Sequence, residues 1–419
     1  MKNIMVAGST GSIGQNALKV IKSSFSNKPY NYRVTGLVAH SNWRELLKQI
    51  QEFRPVQAVL MDKDACTMLK KHYHGRTKIL CGPGWVREMA TARETDVVLA
   101  AVSGGSTGLP ISLWTVAAGK TLALANKESL VMAGRIITSL ARKTGAVIVP
   151  VDSEHSAIWQ LIRSADLATC RSMQKSRLSA CVPINSLSGR CGNHQEINHI
   201  ILTASGGPFY KYPENRLRHV TPVQALKHPT WQMGSKITID SATMMNKALE
   251  IIEAHHLFNL QSERIRVLIH PQSLVHGLVE LSDGTTLAHI SKPDMKIPIR
   301  CALAYAMKNK SADNNRDYKS GLNINYGTLT FEEPGRCASM FRQALELGHE
   351  VVRRGGTSGA VLNAANEEAV RLFLKKRIGF TDIVKLTTRV FDRHKVIRGP
   401  SLGDIVQSDN WARNQLKAY

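Results

Sequence analysis

The sequence predicts an α/β protein in three parts: an N-terminal doubly wound parallel sheet, a central α+β domain and a small C-terminal helical bundle. Three observations predict it. Short, wholly apolar runs alternate with helix-like segments over residues 1–150; longer alternating strands surround one strong helix over 151–304; and helical spacing recurs from 331 to 419. The length agrees, since 419 residues is about twice what one hydrophobic core comfortably holds. Hydrophobic residues at 43% and charged residues at 21% exclude a disordered, collagen-like or disulfide-stapled chain.

The first part contains the runs Ile4–Ala7, Val34–Val38, Ala58–Leu60, Asp96–Ala100, Thr121–Leu124 and Ala146–Val149. Strands buried on both faces read in this way, and their alternation with helices is the pattern of a nucleotide-binding sheet. In the second part Ile200–Thr203, Arg266–Ile269 and Thr285–Ile290 read as strands around a helix near 242–256. Residues 166–195 interrupt this pattern, being Ser-rich with Cys170, Cys181 and Cys191, and read as an exposed insertion. A polar linker, 305–330, leads to the tail, where Ala338–Leu347, Ser358–Lys375 and Thr381–Phe391 have helical spacing.

Lys and Arg number 55 against 32 Asp and Glu, a net charge of +23. The basic residues come in ones, twos and threes, and aromatics are only 6%, so nucleic-acid binding is not predicted; a positive field that gathers small phosphorylated substrates is. The seven cysteines form no CxxC pair and no zinc or disulfide pattern, which predicts a reduced, cytoplasmic chain. Met1-Lys2 runs directly into an apolar strand, which predicts a chain without a leader, and no stretch of about 18 apolar residues predicts a membrane span.

Gly8-Ser9-Thr10-Gly11-Ser12-Ile13-Gly14 follows the first strand and opens a helix. Glycines there allow a tight turn and close approach of a pyrophosphate, which the helix N-terminus stabilises, so the first part reads as a Rossmann-like dinucleotide domain. After the second strand, Ala39-His40-Ser41-Asn42 offers no carboxylate to bind a ribose hydroxyl and repel a 2′-phosphate, which tilts the cofactor towards NADP. Asp152-Ser153-Glu154 follows the sixth apolar run, and in extended backbone both carboxylates face one cation. In Asp240–Glu250, with Asp240 or Ser241 as candidate helix cap, Asn246, Lys247 and Glu250 share a helix face. Glu250 would complete an oxygen-rich Mg²⁺ site, while Lys247, Asn246 and Ser241 suit phosphate; taken alone, a surface Lys–Glu pair remains an equal reading.

In combination these motifs resemble the 1-deoxy-D-xylulose 5-phosphate reductoisomerase family over nearly the whole chain. The matches are Gly8–Gly14, Ala125-Asn126-Lys127-Glu128-Ser129, Val151–Ala157, Thr203–Phe209, His228-Pro229-Thr230-Trp231, Asp240–Lys247 with Glu250, His270-Pro271-Gln272-Ser273 and, in the tail, Gly356–Glu367. The resemblance implies a rearrangement of a phosphorylated ketose held by Mg²⁺ or Mn²⁺, then reduction by NADPH, giving 2-C-methyl-D-erythritol 4-phosphate for isoprenoid precursors. It implies Asp152, Glu154 and Glu250 as metal ligands; Ser205, Ser241, Asn246 and Lys247 at the phosphate; and Ser153 and Lys127 at the substrate. It further implies Thr10, Gly11, Ser12, Ile13, Ser41, Asn42, Asn126, Glu128 and Gly234 at NADPH, a lid over about 208–234 carrying His228 and Trp231, and a homodimer.

The sequence also departs from the family. His40-Ser41-Asn42 stands where relatives carry Gly-Lys-Asn or Gly-Arg-Asn, Gln232 replaces a Ser or Asn in the lid, Ala248 replaces a Gly, and 166–195 is longer than the family's connection. The rival readings are another nicotinamide oxidoreductase, such as a semialdehyde dehydrogenase, and a non-catalytic NADP-binding protein. The first needs a nucleophilic Cys in a site motif, and none is there. The second gives no reason for a cluster of carboxylates to be kept.

Overall fold

Seven parallel strands in the order β4-β3-β2-β1-β5-β6-β7 open the computed structural model, which describes residues 1–27, 32–170, 190–191, 195–228, 233–306 and 327–419. The elements run β1 (Lys2–Ala7), α1 (Ser12–Asn27), β2 (Tyr32–Ala39), α2 (Trp43–Phe53), β3 (Gln57–Leu60), α3 (Lys63–His72), β4 (Lys78–Cys81), α4 (Gly84–Thr91), β5 (Val97–Ala100), α5 (Gly105–Ala117), β6 (Thr121–Leu124), α6 (Lys127–Thr144) and β7 (Val147–Pro150). Strand order reverses between β1 and β5, and the crevice at such a switch point is where open α/β sheets bind ligands. The central strands are apolar because both faces are covered: Ile4, Met5, Val6 and Val97–Ala100 are all fully buried.

The six predicted strands are present. The seventh, β4, is new, and with it comes a correction. Cys66 on the inner face of α3 and Cys81 at the end of β4 form a disulfide, with Cα atoms 5.8 Å apart, against the expectation of a wholly reduced chain. A separation of 15 residues gave no signal of pairing, because it takes the return of β4 alongside its own helix to bring the two together.

The chain then continues through α7 (Ser153–Cys170), β8 (Arg190–Cys191), β9 (Gln195–Ala204), the short helices α8 (Glu214–Leu217) and α9 (Pro222–Ala225), α10 (Ser235–Thr243), α11 (Met245–Phe258), β10 (Ile265–Ile269), β11 (Val275–Leu281), β12 (Thr286–Ile290) and α12 (Lys296–Ala306). The second sheet is mixed, in the order β10-β9-β11-β12, with β8 paired to β9. Its strand β11 and helix α12 went unpredicted. The Tyr32 hydroxyl donates to Leu303 O at 2.7 Å, tying α12 to the first sheet. The predicted insertion begins as helix, since α7 continues to Cys170; of the rest, only 190–191 and residue 195 lie within the described residues.

The helix predicted near 242–256 is two helices. Met244, at φ 65, breaks α10 from α11, so Asp240 and Ser241 lie inside α10 and neither is the predicted cap. The tail is α13 (Ser339–Arg354), α14 (Ser358–Leu374), α15 (Phe380–Arg393) and α16 (Leu402–Gln415), the last unpredicted. Phe373, Phe380 and Phe391 are buried together, and Phe209 packs on Phe380 at 5.3 Å between ring centroids. Among the described residues no helix is long and apolar enough to cross a membrane.

Candidate active site

The ends of β1 and β5 meet at the glycine turn. Gly8 has φ 84, and a Cβ there would lie 2.3 Å from Ala101 O; a Cβ at Gly14 would lie 2.2 Å from Gly8 O. Side chains at either position would close this turn, so its shape depends on glycine. Thr10 and Gly11 lead into α1, whose first turn, with Ser12 and Ile13, carries no acidic residue to compete with a phosphate. Asn126 caps α6, accepting from Ser129 N at 3.1 Å, while its amide donates to Val102 O, Gly104 O and Glu128 Oε2 at 3.0–3.1 Å. Gly234 caps α10, and Lys236 in its first turn comes within 3.7 Å of Glu128, which brings the start of α10 beside the start of α6. Asn42 caps α2 through its carbonyl oxygen, leaving its amide for other partners, and His40 and Ser41 are exposed.

Asp152 precedes α7, Glu154 lies in its first turn, and Glu250 lies in α11. Each offers a ligand oxygen within 4.8 Å of the others. These hard oxygen donors, Glu250 being only 1% exposed, fit a divalent cation such as Mg²⁺ or Mn²⁺. Two ammonium groups hold the cluster together. Lys127 Nζ lies 2.5 Å from Asp152, 3.1 Å from Glu250 and 2.9 Å from Asn246 Oδ1. Lys247 Nζ donates to Glu154 at 2.9 Å, to Thr203 O at 2.6 Å and to Glu250. Ser153 donates to Glu154.

Burial works against the charge on both lysines, but the carboxylates outweigh it: Asp152 and Glu250 hold Lys127 well above its ordinary pKa, and Glu154 and Glu250 raise Lys247. Asp152 is likewise buried yet kept well below the carboxylate range by Lys127 and His155. Glu250 goes the other way, raised by burial and by repulsion from Glu154 despite its two lysines. Lys127 therefore owes its charge chiefly to Asp152.

The Glu250 carbonyl can only accept, so His155 donates to it from Nε2 at 2.9 Å and turns Nδ1 towards Asp152 and Glu253, 3.3 Å from each. Burial would strip the imidazole of its proton, but these carboxylates push it up to about 9. Glu253 is pushed up to about 7 by burial and by Asp152 and Glu250, against the pull of His155. This second layer was missed in the sequence, although His155 lies three residues after Asp152 and Glu253 three after Glu250, one helical turn in each case.

Beyond the carboxylates, the His228 ring nitrogen Nε2 lies 3.0 Å from Ser241 Oγ and 3.3 Å from Ser205 Oγ. The break at Met244 sets Asn246 and Lys247 in the first turn of α11. The structure thus brings Ser205, Ser241 and His228 together and holds Lys247 against Thr203 O, two residues before Ser205, while Trp231 and Gln232 lie outside the described residues. Asp240 serves the fold: buried, it pairs with Lys236 at 2.6 Å and accepts from Asn366 at 2.8 Å. From α14, Glu367 accepts from Gly105 N at 3.0 Å and pairs with Arg413 at 2.6 Å, so the C-terminal helices reach the turn after β5. The Cys301 thiol is pushed up to about 11 and Cys337 is raised, both chiefly by burial, so neither is an activated nucleophile.

Three family models match: 1-deoxy-D-xylulose 5-phosphate reductoisomerase over residues 4–134, its C-terminal domain over 148–258, and the DXP reductoisomerase C-terminal domain over 290–415. The chain belongs to the 1-deoxy-D-xylulose 5-phosphate reductoisomerase family. The reductoisomerase of Thermodesulfovibrio yellowstonii is 41% identical over 417 residues, covering 100% of this chain and 99% of its own. That of Chlorobaculum tepidum is 41% identical over 419 residues with the same coverage. A solved DOX-P reductoisomerase in complex with NADPH, fosmidomycin and magnesium superposes with a TM-score of 0.83 at 35% identity, covering 100% of this chain and 98% of that one. The Zymomonas mobilis reductoisomerase in complex with NADPH gives 0.81 at 36%, with the same coverage. Within this reductoisomerase fold the Ala248 departure falls at a helix crossing. Ala248 is fully buried, and a Cβ on Gly348 of α13 would lie 2.7 Å from its carbonyl oxygen.

Proposed function

We infer that this reductoisomerase catalyses the NADPH- and divalent-metal-dependent rearrangement and reduction of 1-deoxy-D-xylulose 5-phosphate to 2-C-methyl-D-erythritol 4-phosphate, a step towards isoprenoid precursors. The convergence of Asp152, Glu154 and Glu250 from two parts of the chain, interleaved with Lys127 and Lys247, carries the reading. The three carboxylates would hold the cation. Ser205, Ser241, Asn246 and Lys247 would bind the phosphate, Ser153 would contact the carbon skeleton, and Lys127 would lie beside its oxygens. Thr10, Gly11, Ser12, Ile13, Ser41, Asn42, Asn126, Glu128 and Gly234 would line the dinucleotide. When bound, the cation supplies Lewis acidity to the ketone and hydroxyl oxygens, and the dinucleotide supplies the reducing equivalents.

The chain's own residues orient and shield. Lys127 and Lys247 balance charge around the reacting oxygens, and His228 holds Ser205 and Ser241 in one cluster. The segment 208–234 would act as a lid that keeps water away, with Trp231 as its cover. We assign 1–150 to the cofactor, 151–304 to catalysis, 305–330 to a linker and 331–419 to a helical domain that supports both. A cytoplasmic homodimer without nucleic-acid or membrane partners completes the proposal. Mixing the protein with NADPH, Mg²⁺ and the ketose phosphate and following absorbance at 340 nm tests it. Metal-dependent loss of absorbance is expected; no loss under any metal condition would refute the reading.

A further inference from the structure

Each carboxylate assigned to the metal is already paired with an ammonium group of the chain. Lys127 Nζ contacts Asp152 Oδ2 and Glu250 Oε1; Lys247 Nζ contacts Glu154 Oε1 and Glu250 Oε2. Glu250 is divided between the two lysines, one to each oxygen. The lysines are 6% and 3% exposed, so salt screens these pairs little. A divalent cation binds carboxylate oxygens at about 2.0–2.6 Å and draws on the lone pairs that these ammonium groups use. It also repels them, for like charges a few ångströms apart in a buried site cannot be held together without strong compensation.

We propose that Lys127 and Lys247 are the resident counter-ions of the metal site, that the cation displaces them, and that the displacement hands Lys247 to the substrate phosphate. The idea rests on the metal and phosphate assignments made above and adds a coupling between them. Lys247 needs only a short swing. It also donates to Thr203 O at 2.6 Å, two residues before Ser205, and it follows Asn246 in the first turn of α11. Charge favours the same order of events. Three carboxylates against two ammonium groups leave one negative charge, a dication makes the cluster positive, and a phosphate dianion reverses it again. His155 and Glu253, beside Asp152, cancel when both are charged and so leave this balance unchanged. An anion arriving before the metal would meet a negative cluster and an occupied Lys247.

Titration calorimetry of Mn²⁺ into NADPH-free protein, with and without methylphosphonate as the phosphate probe, tests the coupling without turnover. In the wild type the probe should tighten Mn²⁺ binding by about fivefold or more, and Mn²⁺ should tighten the probe by the same factor. Lys127→Met and Lys247→Met should each bind Mn²⁺ about tenfold more tightly than wild type, since one nearby like charge is gone. The coupling should survive in Lys127→Met and vanish in Lys247→Met, with Lys247→Gln as a second form should the first fail to fold. Independent binding of Mn²⁺ and probe to the wild type, unchanged or weaker Mn²⁺ affinity in the Lys247 variants, or coupling that persists in them would each overturn the proposal. No Mn²⁺ binding to the wild type would instead refute the metal assignment beneath it.

Discussion

Gly359 lies in the first turn of α14, where a Cβ would sit 2.0 Å from the Val131 carbonyl oxygen of α6. Carbon and carbonyl oxygen rest no closer than about 3.3 Å, so Gly359→Ala must part the two helices locally by roughly 1.3 Å. Overpacking of this kind costs about 1–3 kcal/mol. The functional consequence is larger, because Val131 lies one turn after Lys127, whose ammonium reaches Asp152 at 2.5 Å and Glu250 at 3.1 Å. Moving the start of α6 by about 1 Å takes the longer contact beyond hydrogen-bonding range and misplaces a group proposed to lie beside the substrate, a displacement that can lower turnover about 100-fold. Asn126, which caps the same helix, should carry part of the shift to NADPH. Thermal melting, kcat and the NADPH dissociation constant read these effects. Gly403→Ala is the control, since a Cβ there meets nothing closer than Ser401 Oγ at 3.6 Å and should be neutral or stabilising. A Gly359→Ala protein with wild-type melting and full kcat would show that α14 does not support the active site, and the reasoning would fail.

Glu250→Gln keeps the shape of the side chain but removes a proposed metal ligand; kcat should fall by about 10³-fold or more, chelators should abolish wild-type turnover, and NADPH binding should stay near normal, so that an active, folded variant would take Glu250 out of the site. With no carboxylate at 40–42 and both Ser41 and the Asn42 amide able to donate, kcat/KM should favour NADPH over NADH, though less steeply than with a cation at position 41; equal values or an NADH preference would contradict this. His155, raised from 6.5 to about 9 in the folded chain chiefly by Glu253, contributes stability to the metal-free protein that is lost as pH rises from 6.5 through 9; Glu253→Gln should flatten that part of the pH–stability curve, and an unchanged slope would refute the pairing. Trp231→Ala should lower substrate affinity and turnover while sparing NADPH binding, and full activity in that variant would withdraw the lid assignment.

What the sequence made legible, and what it did not, follows from how each element is held. The strands of the first sheet were readable because burial on both faces leaves an unbroken apolar run. Its edge strand β4 escaped because Lys78 is exposed and Ile79 only half-buried, so the run shrinks to a single buried residue, Leu80. The strand β11 escaped for a different reason: His276, Gly277 and Glu280 interrupt its apolar pattern, and its identity comes from pairing with β9 and β12 on either side. The Ser401-x-x-Asp404 box that starts α16 is a weak signal by itself, since few apolar residues follow it. The break at Met244 had no local signal, because Ser241 to Glu250 keeps a helical period across it.

The site divides along the same line. Residues proposed to touch ligands could be named from the sequence, some from residue type and spacing and the rest from the family resemblance, because ligand chemistry restricts both. Those that act through another side chain were not: His155 and Glu253 owe their roles to each other across 98 residues, and Glu367 owes its role to a backbone N–H 262 residues away. Such partners need only the right atom at the right place in the fold, and a sequence records that place only after the chain has closed around it.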